Sequence, residues 1–257
     1  MELPPRVNVL GVGISAINLD SAVATLAAAV RSGTRGHVCV TGVHGVMESQ
    51  SDPALRRIHN RSLLTTPDGM PMVWLGRLAG HGSMGRVYGP DLMECVMEWS
   101  RDSGATHFLY GGNTGVAEEL KLRLEQRFPG VRIVGTYTPP FRPLNADEQA
   151  ALEGQVAACR PDFLWVGLST PKQERFMDAQ GGRLAATVML GVGAAFDFHA
   201  GRVRQAPRWI QRSGFEWLYR LVAEPRRLWK RYLTNNPRFI LSILAQKLGL
   251  RSHTLDA

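Results

Sequence analysis

A single carboxylate set between stiff residues is the first place in this chain where chemistry could reside. The stretch Leu63-Leu64-Thr65-Thr66-Pro67-Asp68-Gly69-Met70-Pro71 runs from a short apolar β-type segment straight into Asp68. Pro67 limits the backbone before the carboxylate, Gly69 frees it after, and Pro71 stiffens the exit. A carboxylate at the carboxyl end of a strand in an α/β sheet stands where such sheets bind ligands. The same residue would serve equally as N-cap of a helix starting near Met70. On this stretch alone, capping is at least as good a reading as catalysis.

Other polar groups follow strand-like segments in the same way. Thr41 and His44 stand at and after the end of the segment 37–41, and capping explains each of them too. The run Gly111-Gly112-Asn113-Thr114-Gly115 follows an apolar segment and enters a helix, a geometry whose exposed N–H groups suit a phosphate or nucleotide. It is not a Walker loop, because no Gly-Lys-Ser/Thr follows. Thr170 and Gln173 have capping-box spacing at the head of another helix. Arg86 lies in a glycine-rich stretch, and Asp91 suits the start of a helix. Asp197 follows the last strand, 186–193. Gly11-Val12-Gly13 invites a dinucleotide reading but lacks the third glycine and the acidic residue about 20 positions on, so a simple turn is favoured.

The elements that would carry these residues alternate regularly. Asp20 is placed to cap a helix over 21–31, Pro90 and Asp91 open one running to about Arg101, and Val116, Leu120 and Leu124 share a helical face. Asn145 and Glu148 have the spacing of a capping box. Strands expected at 7–10, 37–41, 106–110, 131–135, 163–167 and 186–193 alternate with these helices. That pattern predicts an α/β domain with a Rossmann-like, mainly parallel sheet and helices on both faces. Thr41, Asp68, Gly112, Gln173 and Asp197 would all lie at, or just after, the carboxyl ends of strands. The collection argues for a site where each residue alone does not.

Of the 257 residues, the basic ones are unevenly placed. Twelve Lys and Arg but only Glu216 and Glu224 fall between residues 202 and 251, in a chain whose net charge is +8. The body is therefore nearly neutral and the tail calls for an anionic partner. Trp209, Trp217 and Trp229 interleave there with Leu and Arg, as in helices that lie in a bilayer interface. Nucleic acid is the competing partner, since Arg with aromatics also binds phosphates and stacks bases. The apolar stripe favours membrane, and ordinary packing against the body is a third reading. No apolar run is long enough to span a bilayer. Residues 1–5 lack the blocks of a signal peptide, and Cys39, Cys95 and Cys159 stand alone, so a cytoplasmic protein is expected. No Cys/His cluster suggests zinc.

Four motifs in order give the chain a resemblance to the WecG/TagA/CpsF glycosyltransferases, glycosyltransferase family 26. They are Thr66-Pro67-Asp68-Gly69, Arg86-Val87-Tyr88-Gly89-Pro90-Asp91-Leu92, Gly167-Leu168-Ser169-Thr170-Pro171-Lys172-Gln173-Glu174, and a long run from Phe196-Asp197-Phe198-His199-Ala200-Gly201 through Glu216-Trp217-Leu218-Tyr219-Arg220-Leu221 to Glu224-Pro225-Arg226-Arg227. The likeness covers about residues 7–239.

The resemblance implies inverting transfer of a sugar from a UDP-sugar donor to a polyprenyl-diphosphate-linked sugar acceptor in cell-surface or exopolysaccharide synthesis. It implies no metal, no cofactor and no nucleic acid. Asp68 matches the family's proposed general base, and Thr41 and Arg86 match active-site positions beside it. Gly112, Tyr137, Gln173 and Asp197 fall where the family holds the nucleotide. His44, Arg220, Arg227 and Arg231 (or its neighbour Lys230) fall to the acceptor and its diphosphate. Residues 1–201 would form the catalytic α/β domain. Residues 202–257 would form a helical, membrane-associating appendage that completes the active site at the inner face of the membrane. A homo-oligomer is among the assemblies this allows. Val43 and Pro71 depart from the family's usual Asn and Gly, and both fall around the sugar. Outside the family, the rival readings are a basic nucleic-acid-binding protein and an NAD-dependent oxidoreductase using Gly11-Val12-Gly13.

Overall fold

A two-residue turn with both φ angles positive, Leu10 at 53° and Gly11 at 82°, opens the fold. Such turns match the twist of a hairpin. They join β1 (Arg6–Val9) to an antiparallel β2 (Val12–Ser15), with Val9 opposite Val12. Gly11 thus closes a hairpin turn and Gly13 lies in β2, so no strand-to-helix turn forms and the dinucleotide reading loses its structural basis. The computed structural model describes residues 2–255, with the side chains of Arg212, Arg227 and Arg231 outside the described set.

The chain continues with α1 (Leu19–Ser32), β3 (Gly36–Thr41), α2 (Val43–Ser51), α3 (Pro53–Arg61), β4 (Leu64–Pro67) and α4 (Met70–Leu78). Then come α5 (Gly89–Ser103), β5 (Thr106–Gly111), α6 (Val116–Arg127), β6 (Arg132–Tyr137), α7 (Ala146–Cys159), β7 (Phe163–Gly167), α8 (Lys172–Gln180), β8 (Val188–Gly191) and α9 (Ala195–His199). The tail forms α10 (Arg208–Ser213), α11 (Glu216–Ala223) and α12 (Pro225–Lys247). Asp20 lies inside the first turn of α1 and not at its cap, so it complements the helix dipole there. The Asn145 side chain accepts from the Glu148 N–H while Glu148 reaches back, the expected capping box.

The α/β class is as expected. Six strands form a sheet in the order β4-β3-β8-β7-β5-β6, and the pairs β3–β8, β8–β7, β7–β5 and β5–β6 are parallel. Parallel neighbours require crossover connections, which the intervening helices supply. By packing, the chain divides into two units. One contains Leu19–Cys39 and Gly89–Arg204; the other contains Pro4–Asn18, Val40–Tyr88 and Gln205–Ala257.

The first unit packs around β7, whose Phe163, Leu164, Trp165 and Val166 are all buried. The indole N–H of Trp165 donates to His107 Nδ1 at 3.0 Å. Burial drops the His107 pKa to about 3, so the ring stays neutral and accepts that bond.

The second unit is built on the hairpin. Val7, Val9, Leu10, Val12 and Ile14 pack with Val46, Met47, Met72, Met84 and, from α12, Phe239. The tail also hydrogen-bonds to the hairpin: Gln246 accepts from the Leu10 N–H at 3.0 Å, and Asn8 donates to the His253 carbonyl at 2.6 Å. Among the described residues no helix is long and apolar enough to cross a membrane. Phe239→Ala should cost about 3 kcal/mol, as a buried aromatic truncation does, measured by denaturant unfolding. A change too small to resolve would show that α12 is not part of this core.

Candidate active site

In the second unit, the exits of β3 and β4 come within backbone contact. The Asp68 N–H donates to the Thr41 carbonyl at 3.0 Å. A Cβ added at Gly42 would stand 2.6 Å from the Asp68 carbonyl oxygen, so only glycine admits the approach. The cap position of α4 falls to Gly69, at φ 93°, and not to Asp68. The cap of α2 likewise falls to Gly42. Thr41 Oγ1 is buried and makes no hydrogen bond among the described residues. The capping readings of Asp68 and Thr41 therefore fail for the same reason: a glycine already holds each cap position.

Arg86 supplies the charge beside Asp68. Its Nη2 lies 4.0 Å from Asp68 Oδ1 and forms an ion pair with Glu216 at the head of α11. Its Nη1 donates to Gln211 Oε1 on α10 at 3.3 Å. The guanidinium lies over the Tyr88 ring, 4.0 Å from its centroid. Burial, and then the charges of Glu216 and Asp68, push the Tyr88 hydroxyl far above the ordinary phenol range, so it remains protonated. Arg220, one turn beyond Glu216, is affected by the same groups. Burial works against its charge, but Tyr232, Tyr88, Asp68 and Glu216 outweigh that and raise its pKa. The structure therefore brings Asp68, Arg86 and Arg220 into one electrostatic network, with Thr41 joined to it only through the backbone bond to Asp68.

His44 sits in the first turn of α2, with Nδ1 3.6 Å from Glu48 Oε1 and 3.3 Å from Asn235 Nδ2 of α12. Arg227 and Arg231 fall on α12, but their side chains lie outside the described residues. Glu216 and Gln211 carried no role in the sequence. Their partner stands 130 and 125 residues away, and no local spacing announces such a pair.

The first unit carries the remaining candidates. Gly112 donates its N–H to the Gly167 carbonyl at 3.0 Å, tying the end of β5 to that of β7. The following α6 starts at Gly115 with no side-chain cap on its first N–H groups. Tyr137, at the end of β6, stacks on Tyr110 at 5.8 Å, and Tyr110 stacks on Phe176 at 4.2 Å. Gln173 is buried on α8; its amide N–H groups donate to the Gly191 carbonyl and to Glu174 Oε1, each at 3.1 Å. The expected Thr170/Gln173 capping box does not form. Pro171 takes the cap position, and the Thr170 hydroxyl donates to Glu174 Oε1 at 2.9 Å instead. Burial pushes the Glu174 carboxyl pKa up. The Asp197 carbonyl on α9 accepts from the Arg202 N–H at 2.9 Å. Among the described residues no three His, Cys, Asp or Glu side chains gather as a metal site would need.

Two outcomes test this geometry. Gly42→Ala should destabilise the protein by about 1–3 kcal/mol through overpacking against Asp68, read as a lower thermal midpoint. In the loop after Tyr137, hydrogen bonds from Arg142, then the Asn145 N–H, lower the Glu148 pKa from 4.5 to about 2. A depressed carboxylate contributes stability that is complete above its ordinary pKa and lost as pH falls through the folded one. Carboxyl NMR titration should therefore place the Glu148 midpoint near 2, and Arg142→Ala should move it back up.

Sequence comparison identifies relatives of this chain. Residues 7–253 match the glycosyl transferase WecG/TagA/CpsF family. The chain is 29% identical over 181 residues, 70% of its length and 68% of the relative's, to the N-acetylglucosaminyldiphosphoundecaprenol N-acetyl-beta-D-mannosaminyltransferase of Bacillus subtilis (strain 168). It is also 29% identical over 197 residues, 77% of its length and 74% of the relative's, to the enzyme of the same name from Bacillus spizizenii.

Proposed function

The chain belongs to the WecG/TagA/CpsF family of glycosyl transferases, and from that premise we propose that it moves a sugar from a UDP-sugar to a polyprenyl-diphosphate-linked saccharide with inversion and without a metal. The names of the two Bacillus relatives describe transfer of N-acetylmannosamine to an N-acetylglucosamine carried on undecaprenyl diphosphate, which supports this class of acceptor.

The observation that carries the reading is the Asp68–Arg86 pair, 4.0 Å apart, with Asp68 at a strand exit and freed of the cap position by Gly69. Asp68 takes the proton of the acceptor hydroxyl. The hydroxyl oxygen then forms its bond to the anomeric carbon as the bond from that carbon to the phosphate oxygen breaks, and UDP leaves with the electron pair. Arg86 and Arg220, with Arg227 and Arg231, offset the charge that grows on the diphosphate. Thr41 belongs with Asp68 and Arg86 at the reacting centre, and His44 contributes on the acceptor side. Gly112 and the uncapped start of α6 suit the phosphates, Tyr137 suits the base as the outer ring of a stack, and Gln173 and Asp197 complete the nucleotide contacts.

We further infer that residues 202–257 act as a membrane-associating appendage that completes the active site at the inner face of the membrane. Trp209, Phe215, Val222, Trp229 and Leu233 are exposed there beside Arg208, Arg226 and Lys230, a surface suited to an anionic bilayer interface.

The test is transfer of labelled sugar from a panel of UDP-sugars into a polyprenyl-diphosphate-linked acceptor, with EDTA present. Wild type should transfer from one donor, and Asp68→Asn should lower kcat roughly 100- to 10,000-fold. Equal transfer by both proteins would remove Asp68 from the base role. Loss of wild-type activity in EDTA would overturn metal independence.

A further inference from the structure

We propose that Glu216 and Gln211 are positioning residues for the reaction, holding Arg86 in its pose and keeping it from closing on Asp68. The inference rests on the role proposed above for Arg86 and Asp68.

A guanidinium offers five N–H donors in a rigid plane, so its direction is set by what occupies its edges. Here Gln211 accepts on Nη1 and Glu216 pairs with Nη2, while the Tyr88 ring covers one face. Gln211 is itself fixed, since it is buried and its own N–H donates to the Ala206 carbonyl at 2.7 Å. That bond orients the amide so that its oxygen is the atom presented to Arg86. Glu216 is the first residue of α11, where the helix dipole favours a carboxylate, and it is not drawn into capping that helix.

The distances indicate what the carboxylate does. Nη2 is in direct contact with Glu216 but stands 4.0 Å from Asp68, beyond hydrogen-bond range. Two carboxylates thus compete for one nitrogen, and Glu216 holds it. Without the Glu216 charge the guanidinium would swing onto Asp68. It would then cover the oxygen that must receive the acceptor proton and lower that oxygen's proton affinity. Glu216 therefore sets how near the cation stands to Asp68. The ion pair is mostly buried, a setting in which the cost of desolvation offsets much of its attraction.

The experiment is a double-mutant cycle on the full chain, using the transfer assay with the donor that wild type accepts. Glu216→Gln should lower kcat roughly 10- to 100-fold, the scale of a small misplacement of a catalytic group, with the donor KM unchanged. Glu216→Asp, which keeps the charge, should recover part of that loss. In the Arg86→Gln background, Glu216→Gln should have no further effect. Losses that multiply in the double variant, or an unchanged kcat in Glu216→Gln, would overturn the inference while leaving the role of Arg86 standing. Transfer by Arg86→Gln at the wild-type rate would instead overturn the role of Arg86, and the inference with it. UDP affinity and the thermal midpoint report whether each variant is folded. Should Glu216→Gln fail to fold, Gln211→Leu in the same cycle decides, with a smaller kcat loss that also vanishes in the Arg86→Gln background.

Discussion

Burying a guanidinium is costly unless its charge finds partners, and the tail supplies two for Arg86, whose Nε is buried without a hydrogen bond among the described residues. One edge goes to Glu216 and another to Gln211, both from the tail. The loop after α4 and the helices α10 and α11 are therefore held to one another by charge and geometry. The anchoring extends along the tail, where Phe239 enters the hairpin core and Gln246 bonds the hairpin turn. The basic, aromatic segment is thus structurally committed to the part of the chain that carries Asp68.

A second constraint acts through the backbone. The exits of β3 and β4 approach so closely that Gly42 has no room for a Cβ, and Gly111 stands in the same relation to Gly167 within the first unit. Short loops pressed together in this way move little, and Pro67 and Pro71 stiffen the one that bears Asp68. A carboxylate on such a loop has a well-defined position.

The tail divides its apolar residues between burial and exposure. Leu228 and Phe239 are buried, as ordinary packing predicts. Trp209, Val222 and Leu233 point outward, as an interfacial helix requires. Composition alone could not divide the apolar residues between these roles, because helical periodicity describes a face without naming what covers it.

By itself the sequence determined what depends on local spacing. The α/β class followed from strands and helices alternating at regular intervals, and the Asn145–Glu148 capping box from a separation of three residues. It also placed Asp68, Gly112 and Gln173 at strand exits. The same local signals failed where another residue close in sequence took the position. Thr170 and Gln173 have capping-box spacing, but Pro171 holds the cap and both side chains turn to Glu174. Asp68 looked like a cap until Gly69 took the position. The turn at Gly11 was read from the sequence, but the strand β2 that follows it was not, because its four residues, all buried, carry no alternating pattern of their own. Glu216 and Gln211 were invisible as partners of Arg86, since a side chain's choice among distant groups is decided by burial and distance after the chain has folded. Local geometry can be read from neighbours in sequence; the pairing of charges requires neighbours in space.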